Sequence, residues 1–308
     1  MVTVRNIDAF DKKHSTVMTI GTFDGVHVGH RKILDRLVAI AKQQSLRATL
    51  LTFFPHPRMV LQKDSDIKLL NTIEEKQKIL SGLGLDYLIV QPFTRDFSRL
   101  SAVEFVRDIL VGSLQMKTVI IGYDHRFGRN RNANIADLRN FGNTFDFEVE
   151  EIPAQEVDDV SVSSTKIRKA LDQGNIETAN EFLGYHYMLN GTIAKGKGLG
   201  RQLGFPTANL LISEAYKLIP KKGAYAIQST INGKRVQGMM NIGTNPTVGG
   251  TEQSIEVHYF NLAQDLYGKK MQVEILHHLR DEQKFDSVEA LKGQLAKDRE
   301  KSIQLLSK

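Results

Sequence analysis

Ten residues, Gly21-Thr22-Phe23-Asp24-Gly25-Val26-His27-Val28-Gly29-His30, set two histidines between an apolar run (Val17, Met18, Ile20) and a helical pattern (Ile33, Leu34, Leu37, Val38, Ile40, Ala41). A strand, a glycine-containing turn and a helix start make a phosphate site. The free N–H groups of the first helical turn and the helix dipole both attract anions. Imidazoles at positions i and i+3 lie on one side of that turn and can donate to phosphate oxygens. The bland alternative is a pair of solvated loop histidines.

Three further clusters in the first half offer related chemistry. Phe53-Phe54-Pro55-His56-Pro57 ends an apolar run and reads as a stiff, aromatic-lined turn suited to a flat ring, or else as a rigid loop with His56 in solvent. Gly122-Tyr123-Asp124-His125-Arg126-Phe127-Gly128 also follows an apolar run. Ser163-Ser164-Thr165-Lys166-Ile167-Arg168 opens a helical pattern. Its hydroxyls and arginine offer many donors to a polyphosphate, where simple capping calls for one hydroxyl and no arginine.

The second half has its own set. Lys195-Gly196-Lys197-Gly198-Leu199-Gly200-Arg201 is basic and glycine-rich, so its backbone can approach phosphates, as any flexible surface loop can. It leads into Phe205-Pro206-Thr207-Ala208-Asn209, and no G-x-x-x-x-G-K-[ST] loop occurs. Glu256 sits in an alternating run, Ile255 to Asn261, ahead of Asp265-Leu266-Tyr267-Gly268. It is a candidate proton acceptor or an ordinary exposed strand residue.

These clusters need scaffolds. Apolar runs at 17–20, 48–54, 87–90, 118–121 and 145–152 alternate with amphipathic stretches at 32–43, 72–83, 102–114 and 135–141. The alternation predicts a parallel sheet covered by helices on both faces. The turns at 21–30, 53–58 and 122–128 should then converge at the carboxyl ends of the strands. Short helical patterns at 165–171 and 176–183 close this half, and the boundary is expected near Gly184, giving domains 1–184 and 185–308. Beyond it, 224–231 and 234–240 flank Asn232-Gly233, a hairpin signal. Further strands are expected at 255–260 and 271–279, forming a small antiparallel barrel. A last helix of roughly five turns follows, with Asp286 as N-cap and Glu289 three residues on.

The 308 residues carry a net charge of +6 and no cysteine, which excludes disulfides, thiolate metal sites and a cysteine nucleophile. Residues 1–184 balance 24 basic against 24 acidic groups, while 185–308 carry 17 against 11. No basic run with interleaved aromatics points to nucleic acid; phosphorylated small molecules are the milder explanation of the basic excess, and scattered solvated lysines are milder still. No stretch has the length of a membrane span, and the first residues lack the layout of a secretory signal. A cytoplasmic location is expected.

His27-Val28-Gly29-His30 resembles the HxGH signature of the nucleotidyltransferases. Taken in order, GTFDGVHVGH, TFFPHP, GYDHRFG and VSSTKIR resemble the prokaryotic bifunctional FAD synthetases, which are also riboflavin kinases. The resemblance implies a Rossmann-like α/β nucleotidyltransferase domain that adenylylates FMN, followed by a β-barrel domain that phosphorylates riboflavin, with Mg²⁺ serving the ATP. It assigns Gly21, Phe23, His27, His30, Asp124, Ser163, Ser164, Thr165 and Arg168 to ATP in the first domain, with His27 and His30 stabilising phosphate charge. Phe54, Pro55, His56 and Pro57 would lie near the flavin. In the second domain Gly196, Lys197, Gly198, Thr207 and Asn209 would bind ATP, the last two also the metal. Glu256 would be the general base, and Arg280, Glu282 and Phe285 would contact the flavin. His125 departs from the aromatic more usual there. An aminoacyl-tRNA synthetase of class I shares HxGH but would want a KMSKS-type loop, absent here. A single-function adenylyltransferase and a flavin-binding sensor are the other readings.

Overall fold

The computed structural model describes residues 1–62, 66–123, 125–153, 162–195, 200, 203–247, 250–262 and 264–307. They divide into two compact units, Met1–Ser163 and Ser164–Lys308.

In the first unit, strands β1 (Val2–Val4), β2 (Thr16–Ile20), β3 (Arg47–Phe54), β4 (Tyr87–Pro92), β5 (Met116–Gly122) and β6 (Glu148–Ile152) form one parallel sheet in the order β1-β4-β3-β2-β5-β6. The chain reverses direction across the sheet at β2, with β3 and β4 on one side and β5 and β6 on the other. Such a switch point opens a crevice at the carboxyl ends of the strands. The turns after β2, β3 and β5, three adjacent strands, therefore meet at one end of the sheet, as the alternation implied.

Period-two alternation sorts the strand residues between two apolar layers. Met18 and Ile20 pack with Phe105, Val106, Leu110 and Leu138 on one face. Val17 packs with Leu34, Leu37, Ile40 and Leu80 on the other. Each fully buried aliphatic side chain is worth roughly 1.5–3 kcal/mol. Helix α1 (Val28–Gln44) buries Leu34, Leu37, Ile40 and Ala41 and ends at Ser45, whose φ of 55° turns the chain out of the helix. Helix α2 (Pro57–Leu61) is short, and α3 (Ile73–Ser81) starts from a Thr72–Glu75 capping box. Helix α4 (Ala102–Glu104) continues as a π-helical stretch, Phe105–Ser113.

In this unit one boundary is shifted and one strand is added relative to the sequence expectations. Helix α5 runs Ile135–Phe145, so Phe145 is helical rather than the start of β6. Phe141 and Phe145 lie one turn apart with ring centroids at 6.3 Å, and the αL residue Asp146 ends the helix. β1 pairs with the edge of β4, a strand that three residues of sequence did not announce.

The second unit begins with α6 (Ser164–Gln173) and α7 (Ile176–Leu183). Strands β7 (Tyr187–Ala194), β8 (Ala208–Leu211), β9 (Gly223–Ile231), β10 (Lys234–Thr247), β11 (Gly250–Tyr259) and β12 (Lys270–Asp281) form a closed antiparallel barrel, β10-β11-β8-β7-β12-β9. The expected hairpin is present: Ile231 pairs with Lys234, and Asn232 and Gly233 both have positive φ, the requirement of a two-residue primed turn. The compact units part at Ser163/Ser164, and α6 and α7 fall in the same unit as the barrel. Asn180 Nδ2 donates to the Ile275 carbonyl (2.9 Å), and the Tyr187 amide donates to Asn180 Oδ1 (2.7 Å). The Lys221 amide donates to the Leu171 carbonyl (3.0 Å). Helix α8 (Val288–Leu306) closes the unit, and its N-cap is Ser287, not Asp286: Ser287 Oγ accepts from the Ala290 amide at 3.0 Å.

Candidate active sites

At the end of β2 the chain turns through Phe23 and Val26, both at positive φ, and enters α1 at Val28. His27 is therefore the N-cap, and His30 lies in the first helical turn. The His30 amide donates to His27 Nδ1 at 3.3 Å, which leaves Nε2 of a neutral His27 to carry the proton. The two rings stack, with centroids 3.6 Å apart and planes 17° from parallel. Burial pushes the His27 imidazole down to about 4, against the pull of Asp24. Burial, then the neighbouring His27, then Lys76 hold His30 well below the usual histidine range. Both rings are thus uncharged near neutral pH, and the stacking fixes their orientation. His30 Nδ1 is buried with no hydrogen-bond partner among the described residues, so the site has polar capacity left for a ligand.

Phe23 is 4% exposed and lies 4.6 Å from the His30 ring, so it supports that imidazole from the core. A Cβ at Gly21 would stand 3.0 Å from the Phe23 ring, and one at Gly29 would stand 3.3 Å from the His27 ring. Both glycines let the turn close on these rings.

After β3, the half-buried Phe54 packs on the core, Pro55 follows in a cis peptide, and His56 caps α2 beginning at Pro57. His56 Nδ1 accepts from the Arg58 amide at 3.1 Å, so this histidine orders the turn. After β5, the half-buried His125 lies nearly parallel to Phe127 at 6.2 Å, an aromatic-like placement. Asp124 lies outside the described residues. The unit division runs through the serine-rich cluster: Ser163 ends the first unit, and Ser164, Thr165 and Arg168 begin α6 in the second. A cavity of about 620 Å³ lined by Lys13, His14, Lys42 and Arg47 opens at the amino ends of β2 and β3, the opposite end of the sheet from His27 and His30.

In the barrel, strand register builds a polar row. Asn209 of β8 stands opposite Glu256 of β11, which stands opposite Asn241 of β10. Directly opposed residues share a face of the sheet, and all three are half-buried. Thr207, just before β8, donates its hydroxyl to Glu256 Oε2 at 3.2 Å. Gly196, Lys197 and Gly198 lie outside the described residues, but the exit of their loop is described. Gly200 accepts from the amides of Leu203 (3.1 Å) and Phe205 (2.8 Å), and a Cβ there would stand 2.3 Å from the Phe205 carbonyl.

Arg280 forms a bidentate pair with Asp298 of α8, with contacts of 2.8–3.1 Å, and its guanidinium lies 5.6 Å from the Phe285 ring centre. The pair is largely buried and ties α8 to β12. Glu282 accepts from the Thr244 amide at 3.2 Å and so steadies the end of β10. Arg280, Glu282 and Phe285 thus all have structural partners in this unit.

Two residues with a part in these sites escaped the sequence reading. His258, two positions from Glu256, is 9% exposed and sits with Nδ1 2.8 Å from the Pro206 carbonyl, anchoring the turn that leads to Thr207. Its imidazole is held below the usual range, chiefly by burial. Lys76 of α3 is buried beneath the Gly21–His30 turn, with Nζ 2.6 Å from the Thr22 carbonyl. Only the buried position of Lys76 marks it out. A sequence signal for His258 was its period-two phase with Glu256.

Residues 9–166 match the family described as FAD synthetase, and residues 183–306 match riboflavin kinase. A bifunctional riboflavin kinase/FMN adenylyltransferase of Listeria monocytogenes is 39% identical, the alignment covering 92% of this chain and 90% of the relative. Those of Escherichia coli K12 (37%; 92% and 90%) and Bacillus subtilis (33%; 96% and 94%) carry the same name. A solved structure from Streptococcus pneumoniae, described as a macrolide-efflux protein, superposes with a TM-score of 0.87 at 30% identity over 97% of both chains. Among the described residues no helix is long and apolar enough to cross a membrane. With two domain matches in the same order as the two units, and relatives aligned over nearly the whole length, the chain belongs to the bifunctional riboflavin kinase/FMN adenylyltransferase family.

Proposed function

We propose that the two activities of the family reside in separate sites, FMN adenylylation at the His27–His30 turn and riboflavin phosphorylation at the Thr207–Glu256 row. The observation that carries this reading is that the stacked His27–His30 pair and the Thr207–Glu256 contact lie in different compact units. In this reading residues 1–184 carry the adenylyltransferase and 185–308 the kinase.

In the first site an oxygen of the FMN phosphate attacks the α-phosphorus of ATP. A new P–O bond forms, the bond to the bridging oxygen breaks, and pyrophosphate leaves. The nucleophile is already an anion, so the site needs alignment and charge stabilisation rather than a base. Neutral His27 and His30 donate hydrogen bonds, and the free amides at the start of α1 add their dipoles. Gly21 gives room for the nucleotide, and Phe23 holds the His30 ring. Asp124 and Ser163 belong to the ATP site in this reading, while Ser164, Thr165 and Arg168 fall in the second unit. Phe54, Pro55, His56 and Pro57 line the flavin side.

In the second site Glu256 takes the proton of riboflavin's terminal hydroxyl as that oxygen attacks the γ-phosphorus and ADP leaves. Thr207 and Asn209 offer neutral oxygen donors, which suit a hard divalent cation such as Mg²⁺ shared with phosphates. Among the described residues no group of three or more His, Cys, Asp or Glu could hold a metal. Thr207 and Asn209 would therefore share the ion with the phosphates of ATP, and the ion would offset charge on those phosphates. Gly196, Lys197 and Gly198 serve the same phosphates, and Arg280, Glu282 and Phe285 shape the flavin end. The absence of cysteine accords with a cytoplasmic enzyme.

Incubation with riboflavin, ATP and Mg²⁺, with products separated by chromatography, tests the reading. FMN should appear first and FAD after it; a protein that binds flavin without forming either would be a sensor.

A further inference from the structure

A lysine seldom loses contact with water unless something pairs with it. Lys76 of α3 is 4% exposed. Its Nζ donates to the Thr22 carbonyl at 2.6 Å, and the same oxygen accepts from Thr52 Oγ1 of β3 at 3.1 Å. Two donors on different elements thus converge on one backbone atom of the turn that leads to His27 and His30. Asp24 faces the ammonium from that turn and also accepts from the Leu70 amide (3.0 Å) and the Asn71 amide (3.4 Å). The segment entering α3 is thereby stapled to the turn.

Burying a charge is a poor way to gain stability, since an apolar side chain of similar length does as well or better. A charge kept here points to a task at the neighbouring site. We propose that Lys76 is a positioning residue for adenylyl transfer, its ammonium clamping the Thr22 carbonyl so that the turn presents His27 and His30 to the nucleotide. This rests on the reading of the first site under Proposed function.

The groups facing the ammonium are Asp24 from the turn and His30 from α1, with Glu75 its neighbour along α3. Burial lowers the ammonium to about 8, opposed by Asp24. The charged form donates the stronger hydrogen bond and alone is attracted by Asp24, so the clamp weakens as pH rises through that value. An arginine stays charged throughout this range.

The test uses the full chain with Lys76→Met and Lys76→Arg. FAD formation from FMN is followed across pH, and riboflavin phosphorylation by the same molecules is the control. Lys76→Met should lower kcat for FMN adenylylation by about a hundredfold, the scale of a misplaced catalytic group. The KM for FMN should stay within roughly threefold, and riboflavin phosphorylation should be unchanged. Lys76→Arg should restore much of the loss and remove a fall in kcat/KM that the parent shows near pH 8. Normal adenylylation in Lys76→Met overturns the proposal, as does a Lys76→Arg protein that keeps the parent's alkaline fall. Where Lys76→Met does not fold, the Lys76→Arg pH profile decides alone. A parent protein that makes no FAD from FMN overturns the reading of the site itself, and is distinguished by needing no variant.

Discussion

Thr207 Oγ1 stands 3.2 Å from Glu256 Oε2 and donates to it, while Asn209 and Asn241 flank Glu256 across β8 and β10. The carboxylate is thus held from the turn before β8 and remains half-buried. One carboxylate oxygen, Oε2, takes the Thr207 contact.

Replacing Glu256 with Gln keeps the size and the Thr207 contact but removes the proton acceptor. Turnover of riboflavin to FMN should fall by on the order of a hundredfold or more, the usual worth of general-base catalysis. Affinity for Mg-ATP, measured by calorimetry, should change little, and FAD formation from supplied FMN should be untouched. Normal phosphorylation in this variant would make Glu256 an ordinary strand residue. Loss of Mg-ATP affinity would move it to metal or substrate positioning.

The stacked histidines make the first unit acid-sensitive. His27 is held at about 4 in the fold against an ordinary value of 6.5. Below 6.5 the unfolded chain takes a proton that the folded one refuses, so stability falls as pH drops from 6.5 toward 4. Each tenfold loss of proton affinity on folding is worth about 1.4 kcal/mol. His27 alone therefore accounts for on the order of 3 kcal/mol across that window, and His30 acts in the same direction. Urea unfolding of the parent and of His27→Asn at several pH values checks this: the variant should show the shallower decline.

Because α6 and α7 pack with the barrel, a fragment of residues 164–308 should fold and convert riboflavin to FMN without making FAD. A fragment of residues 185–308 lacks Asn180, which bonds both the Ile275 carbonyl and the Tyr187 amide, and loses the apolar cover of Ile176, Ala179 and Leu183. It should unfold at lower temperature. Equal melting temperatures, read by circular dichroism, would put the functional and structural limits back at the same place.

Local features were legible where the chemistry is local. The Asn232-Gly233 turn, the apolar stripe of α1 and the strand–turn–helix at Gly21–His30 each follow from neighbouring residue types. The pairing of Arg280 with Asp298 was not legible, because nothing in either segment's periodicity records the partner's position. Lys76 escaped for the same reason: at sequence level it is one more lysine on an amphipathic helix, and only the fold removes it from water. The N-cap fell to Ser287 rather than Asp286 because either residue suits the position and the first turn of α8 selects between them.

The most direct test of the two-site account is His30→Ala in the full chain, incubated with riboflavin, ATP and Mg²⁺ and followed by chromatography over time. His30 belongs to the first unit, whereas Thr207, Asn209 and Glu256 belong to the second. The account predicts FMN accumulating at close to the parent's rate, with FAD formation lowered by about a hundredfold, as for removal of one preorganised donor. Equal loss of both products in a folded variant, or FAD formed at the parent's rate, would contradict it.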